Sequence, residues 1–300
     1  MAAVIDIVKY RAYILAAAFL WGGTGVFFVE LSARGAAPAQ VVLIRTGLAA
    51  LGLGVWLLCR NRSAFRVRVK DVWCFAGTGL VSLLFFNWCY IQAIHEAGMA
   101  VSGVLLYTAP AFVAVLSAFL FRERLALTGW GVLALVLLGC ALVSGIASTS
   151  AAVTPAGVLL GLGAGFGYAL YSIFGRYALN RGYSPLTVSF YTFTFCAAGC
   201  IPLASVWELP GILAAPGALP HALALGSLGC LFPYWLYTKG LSGVTGATAS
   251  MTATLEPVVA ALFGVLLYRE SLTPWQLAGM ALVLGGILLL GGKPRARRSG

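Results

Sequence analysis

Phe85-Phe86-Asn87-Trp88-Cys89-Tyr90 returns 147 residues later as Phe232-Pro233-Tyr234-Trp235-Leu236-Tyr237. The same offset carries Arg34, Gly35 and Pro38 onto Arg181, Gly182 and Pro185, Pro110 onto Pro257, and Arg122-Glu123 onto Arg269-Glu270. Leu or Ala matches mean little in so apolar a chain, but Trp, Pro, Arg and Glu matches at one constant spacing mark a tandem duplication. The period is too long for a solenoid repeat, so each copy is half of one fold.

Of the 300 residues, 61% are hydrophobic and only 9% charged, and the mean hydropathy is +0.97. That balance excludes a soluble domain. Apolar stretches of about 20 residues, enough to cross a hydrocarbon core, lie near 12–31, 38–58, 72–94, 99–121 and 127–147. The offset supplies five more near 157–178, 185–206, 218–239, 246–268 and 273–291. Period-2 alternation is absent, and backbone groups in lipid must bond internally, so helices are expected rather than a barrel. The fold expected is an all-α membrane protein with ten transmembrane helices in two five-helix repeats, 1–147 and 157–292. A linker, 148–156, joins them, and a basic tail, 293–300, follows.

The net charge of +11 is unevenly placed. Sixteen of the 19 Lys and Arg residues fall on one side of this topology, Arg60, Arg62, Arg66, Arg68 and Lys70 among them; Arg34 and Arg269 lie opposite and Arg45 within a helix. The positive-inside rule then places both termini in the cytoplasm, in a cell (inner) membrane, and the charge reads as topology rather than nucleic-acid binding. Five crossings per copy make the second copy enter from the opposite side. Inverted repeats are the architecture of many secondary transporters, with two gates and a midplane site between the halves.

The same segments resemble the EamA family of the drug/metabolite transporter superfamily. The resemblance rests on Phe19-Leu20-Trp21-Gly22-Gly23, on Ile44-Arg45 followed by Leu48-Ala49, and on Leu105-Leu106-Tyr107-Thr108-Ala109-Pro110 with Arg122-Glu123-Arg124-Leu125. Its second copy has Leu255-Glu256-Pro257 with Arg269-Glu270-Ser271-Leu272. It implies a ten-helix exporter of metabolites or amino acids, with a central cavity lined mainly by helices 1, 3, 4, 6, 8 and 9.

Glu256 is the sharpest functional candidate, because an acidic residue near the middle of a spanning helix usually lines a cavity or has a partner. Thr252, Thr248 and Thr245 lie on the same helical face, whereas the matching positions Ala109, Leu105, Val101 and Gly98 are apolar. Threonines can equally bond back to their own helix. Pro110 and Pro257 are candidate hinges, or static bends. Trp21, Tyr168, Tyr171, Asn87, Tyr90, Tyr234 and Tyr237 are candidates for an aromatic cavity wall, although aromatic stripes also serve packing. Glu30 and Arg45, at similar depth in one hairpin, are expected to form a salt bridge. Glu123 and Glu270 are expected to cap the next helix or pair with adjacent Arg residues. Gly161, Gly163, Gly165 and Gly167 permit close helix contact.

No Walker-type sequence supports an ATP-driven pump, and no residue cluster reads as a metal or cofactor site. The seven Cys residues read as apolar packing. The function expected is a secondary active exporter of amino acids or other small amphipathic molecules by alternating access, with protons as a candidate coupling ion. An uncoupled facilitator or exchanger fits the same features. So does a non-transporting membrane enzyme or sensor. Cargo and oligomeric state are not legible in the chain.

Overall fold

The computed structural model describes residues 2–123, 125–148 and 154–290; the linker residues 149–153 and the basic tail 291–300 lie outside the described residues. Those described contain helices and turns and no strand. In the first copy the α-helices are α1 (Ala2–Gly22), α2 (Thr24–Ser32), α3 (Pro38–Arg60), α4 (Val72–Ala76), α5 (Phe85–Leu106), α6 (Ala109–Leu120) and α7 (Leu127–Val143). The second has α8 (Pro155–Asn180), α9 (Pro185–Cys200), α10 (Leu209–Ala214), α11 (Ala218–Gly226), α12 (Phe232–Leu241), α13 (Gly246–Ala253), α14 (Leu255–Tyr268) and α15 (Pro274–Leu289). π-Helical turns over Gly77–Leu84 join α4 to α5, and others over Ser227–Leu231 join α11 to α12.

Six helical segments are long and apolar enough to cross a membrane: Asp6–Ser32, Pro38–Arg60, Val69–Leu106, Pro155–Asn180, Pro185–Leu203 and Gly246–Tyr268. A seventh results if Val206–Ala214 and Ala218–Leu241, bent by 117°, count as one span. The chain is a multi-pass membrane protein. Fewer than ten segments reach this length for local reasons. The helix boundary expected near 94–99 is a single non-helical residue, Gly98 (φ 77°), inside α5. A further break at Tyr107-Thr108 leaves α6 with 12 residues, and α7 and α15, with 17 and 16, are short of the usual span.

Local chemistry sets the helix starts. Thr154, Ser184 and Thr273 accept backbone N–H bonds three residues on and each precedes a proline at the first helical position, where its missing N–H costs nothing. Gly35 and Gly182, matched by the offset, end their helices at φ 88° and 85°, a conformation that glycine adopts without a Cβ clash.

Cross-contacts between the halves come in exchanged pairs. The α1 helix packs on α12 and α14, and its counterpart α8 packs on α5 and α6. Matched helices also pack on each other. Val283 is what a Cβ on Gly139 would meet, and Val136 is what a Cβ on Gly286 would meet, so α7 and α15 run antiparallel. At α3 and α9, Gln40 Nε2 reaches Ser205 O at one end (3.1 Å) while Phe65 stacks on Phe190 at the other (5.0 Å); they too are antiparallel. In lipid, where helices gain little from burying apolar surface, such contacts depend on small residues. A Cβ on Gly279 would lie 2.7 Å from Gly139 O. On α8, Gly161, Gly163, Gly165 and Gly167 all meet α5 or the Thr108 turn that follows it, as their spacing suggests.

Candidate functional site

Between the halves lies a cavity walled by Trp21 of α1, Tyr168, Tyr171 and Ser172 of α8, Ser82, Leu83 and Phe86 at the π-helical entry to α5, and Tyr234 and Tyr237 of α12. The rings fix one another edge to face. Trp21 stands 5.0 Å from Tyr234 and 6.3 Å from Tyr168, and Tyr171 5.1 Å from Tyr234, the geometry that ring quadrupoles favour. Hydroxyls are paired across helices: Tyr171 with Thr238 Oγ1 at 2.6 Å and Ser172 Oγ with Tyr237 at 2.8 Å. Ser82 Oγ donates to Gly167 O at 2.7 Å. The Tyr234 hydroxyl has no hydrogen-bond partner among the described residues. The remaining cavity is about 10 Å³, room for about one water.

A carboxyl group stands behind one wall. Tyr168 OH donates to Glu256 Oε2 at 3.3 Å, linking the carboxylate to the aromatic box. Glu256 lies in the first turn of α14, after the break at Thr254, whose hydroxyl is tied to Met251 O (2.6 Å). Pro110 and Pro257 both sit in the first turn past such a break, where a missing N–H is tolerated.

The other expected residues are elsewhere. Thr252, fully buried, donates to Thr248 O at 2.7 Å, and Thr245 caps α13; the threonine stripe is satisfied within its own helix. Tyr90 packs on Phe86 beside the cavity, in a cluster with Cys89, Leu106 and Ala164. Asn87 points away: its Oδ1 accepts from Arg45 at 2.8 Å and its Nδ2 donates to Leu83 O at 2.6 Å. The π-helical turns explain the exchange of Asn87 and Tyr90 for Ser82, Leu83 and Phe86. A wider turn rotates the following face, and α-helical periodicity does not register it.

The expected Glu30–Arg45 salt bridge does not form. Glu30 Oε2 pairs with Arg34, one turn away, at 2.6 Å, and Arg34 Nε also donates to Pro216 O at 2.9 Å. Arg45 turns inward to Asn87, with 8% of its surface exposed and its Nε unpartnered. A partner four residues away on the same helix is closer than one across the hairpin.

A second polar assembly lies at one end. Arg176 of α8 pairs with Glu123, past the end of α6, and donates to Leu241 O (2.6 Å) and Val244 O (2.9 Å). The other Glu123 oxygen accepts from Gly246 N at 3.0 Å, so Glu123 caps α13 rather than the next helix. Arg176 and Glu123 are 53 residues apart in sequence, and nothing in the chain's spacing announces the pair. Among the described residues no cluster of His, Cys, Asp and Glu could hold a metal ion.

The EamA-like transporter family model matches residues 9–145 and again residues 155–292. The chain belongs to the EamA-like transporter family. This EamA-like chain is 29% identical to the uncharacterized transporter YwfM of Bacillus subtilis over 97% of its own length and 96% of that protein's. It is also 29% identical to the threonine/homoserine exporter RhtA of Escherichia coli, over 79% and 77% respectively. A crystal structure with 21% sequence identity shares its fold, with a TM-score of 0.73 over 94% of this EamA-like chain and 96% of that one.

Proposed function

We propose that this transporter exports amino acids or other small amphipathic metabolites across the cell membrane by alternating access. The observation that carries the reading is the aromatic box between the halves with Glu256 joined to it through Tyr168. Tyrosine and tryptophan faces attract an ammonium group, and a carboxylate at the edge of the same box pairs with it. Counting α4 to α5, the α5 to α6 turn and their counterparts as separate crossings makes ten, five per half. The antiparallel packing of α3 on α9 and α7 on α15 supports an inverted pair of halves whose relating axis lies in the membrane plane. Both termini are then cytoplasmic. The RhtA likeness favours amino acids.

In this mechanism the closed box admits cargo only when one end opens, and the Glu123–Arg176 assembly is the gate on the basic, cytoplasmic side. Glu256 carries a proton or the cargo's ammonium. The test is flux in proteoliposomes. Counterflow of an amino acid is expected, and Glu256→Gln is expected to abolish the response of flux to a pH gradient. An unchanged pH response removes Glu256 from coupling; no counterflow of any metabolite removes transport.

A further inference from the structure

At the end of the molecule that carries most of the basic residues, the loop between α3 and α4 folds over the start of α9 and encloses a groove of about 380 Å³. Arg66, Arg68 and Arg181 line it, together with Ser63, Tyr183 and Ser184. The groove is held rigidly. Asp71, only 3% exposed, accepts from Arg68 Nε at 2.7 Å and from Tyr183 OH at 2.8 Å through one oxygen, and from Arg181 Nε at 3.1 Å through the other. Arg68 and Arg181 each use Nε on this buried carboxylate, and Arg181 also donates one terminal amine to Tyr177 O at 3.1 Å. Arg68 has no further side-chain bond among the described residues, so its two terminal amines remain as donors. Tyr183 OH also accepts from Arg68 N (3.1 Å), and Tyr191 OH donates to Phe65 O (2.9 Å), pinning the loop down. Arg66 makes no ion pair with a described residue.

The matched loop of the other half lacks this chemistry. Positions 66, 68 and 71 correspond to Leu213, Ala215 and Ala218, and Tyr183 corresponds to Ala36. A topological excess of positive charge accounts for the number of cations on one side. It does not account for three guanidiniums converging on one groove behind a buried carboxylate. Planar guanidiniums with free terminal amines match the oxygens of a phosphate. Exposed apolar side chains adjoin the lining residues: Val69, Val72 and Trp73, just after Arg68 in the chain, are 90%, 36% and 42% exposed, and Arg181 stacks over Trp73 at 5.0 Å. A phosphate with an attached acyl chain uses both surfaces, whereas a free phosphate uses only one.

We propose that this groove is a binding site for the phosphate of an anionic phospholipid headgroup in the cytoplasmic leaflet, with Asp71 positioning two of the three arginines. The test uses the full chain, purified in detergent and titrated with phosphatidylglycerol or phosphatidylcholine, with bound lipid counted by native mass spectrometry. Phosphatidylglycerol is expected to be retained over phosphatidylcholine. Arg66→Gln, which disturbs no internal bond, should weaken that retention about tenfold, as loss of one charge-assisted bond does. Ser63→Asp, which puts a carboxylate in the groove, should act in the same direction. Arg60→Gln at the end of α3 and Arg62→Gln in the loop remove the same charge outside the groove and should change retention less than about twofold. Equal losses for Arg60→Gln and Arg66→Gln, or no preference between the lipids, would overturn the site in favour of diffuse attraction. If millimolar inorganic phosphate displaces the lipid fully and raises the melting temperature as much as the lipid does, the lipid assignment falls to a soluble phosphate.

Discussion

At the Glu123 end a carboxylate, a guanidinium and two backbone carbonyls tie α6, α8, α12 and α13 together; at the Glu270 end, built from the same half-fold, none of these bonds exists among the described residues. Arg176 is matched there by Val29, Gly246 by Met99, and the Glu270 carboxylate folds back over Gly264 of the preceding α14. Both ends keep the same strained turn, with Arg122 and Arg269 at φ 57° and 55°. Backbone geometry is therefore shared, and side-chain chemistry is what distinguishes the ends. The Glu123 cross-link is thus specific to one end; the polar contacts of the other, Glu30 with Arg34 and Gln40 with Glu208, join different elements.

Arg176→Gln should break the comparison most severely. It strips a partner from a carboxylate that is only 15% exposed and should cost about 3 kcal/mol, as the loss of one member of a buried pair does. In a Cys59→Ser background, where the other cysteines are buried, a Ser172→Cys probe should then react at least tenfold faster with an impermeant thiol reagent from the cytoplasmic side. An unchanged rate would mean that the pair braces a mouth closed by something else. Exchanging the charges, Glu123→Arg with Arg176→Glu, should recover less than half of the lost stability in a thermal melt. Arg176 also serves Leu241 O and Val244 O, and a glutamate cannot donate to carbonyls.

Gly246→Ala should act more mildly. Its Cβ would lie 2.7 Å from Ser117 Oγ, which can move, so a loss of about 1 kcal/mol is expected, measured by the same melt. The smallest effect is expected from Val29→Arg, which offers Glu270 the cation it lacks. Val29 is 52% exposed, and exposed pairs contribute about 0.2–1 kcal/mol. Flux should slow by no more than about fivefold. Faster flux would show that opening of the Glu270 end is not limiting.

The duplication, the helical class and five of the cavity rings were legible in the chain, because Trp21, Tyr168, Tyr171, Tyr234 and Tyr237 sit at spacings that α-helices put on one face. Ser82 and Phe86 were hidden by π-helical turns that no periodicity encodes. Arg45 was misassigned because depth along a hairpin says nothing about which way a side chain turns. The Arg176–Glu123 pair joins residues 53 positions apart through tertiary packing, which a single sequence does not report.

The π-helical turns over Gly77–Leu84 and Ser227–Leu231 end at positions related by the offset, Leu84 and Leu231. Such turns are rare and recur at functional sites, so two that end at one register mark the irregularity as part of the repeated half-fold. Glu256 opposite Ala109, Arg45 opposite Thr192 and Arg176 opposite Val29 are where the two copies differ. The widened helix belongs to the repeated framework, and the charges set its two copies apart.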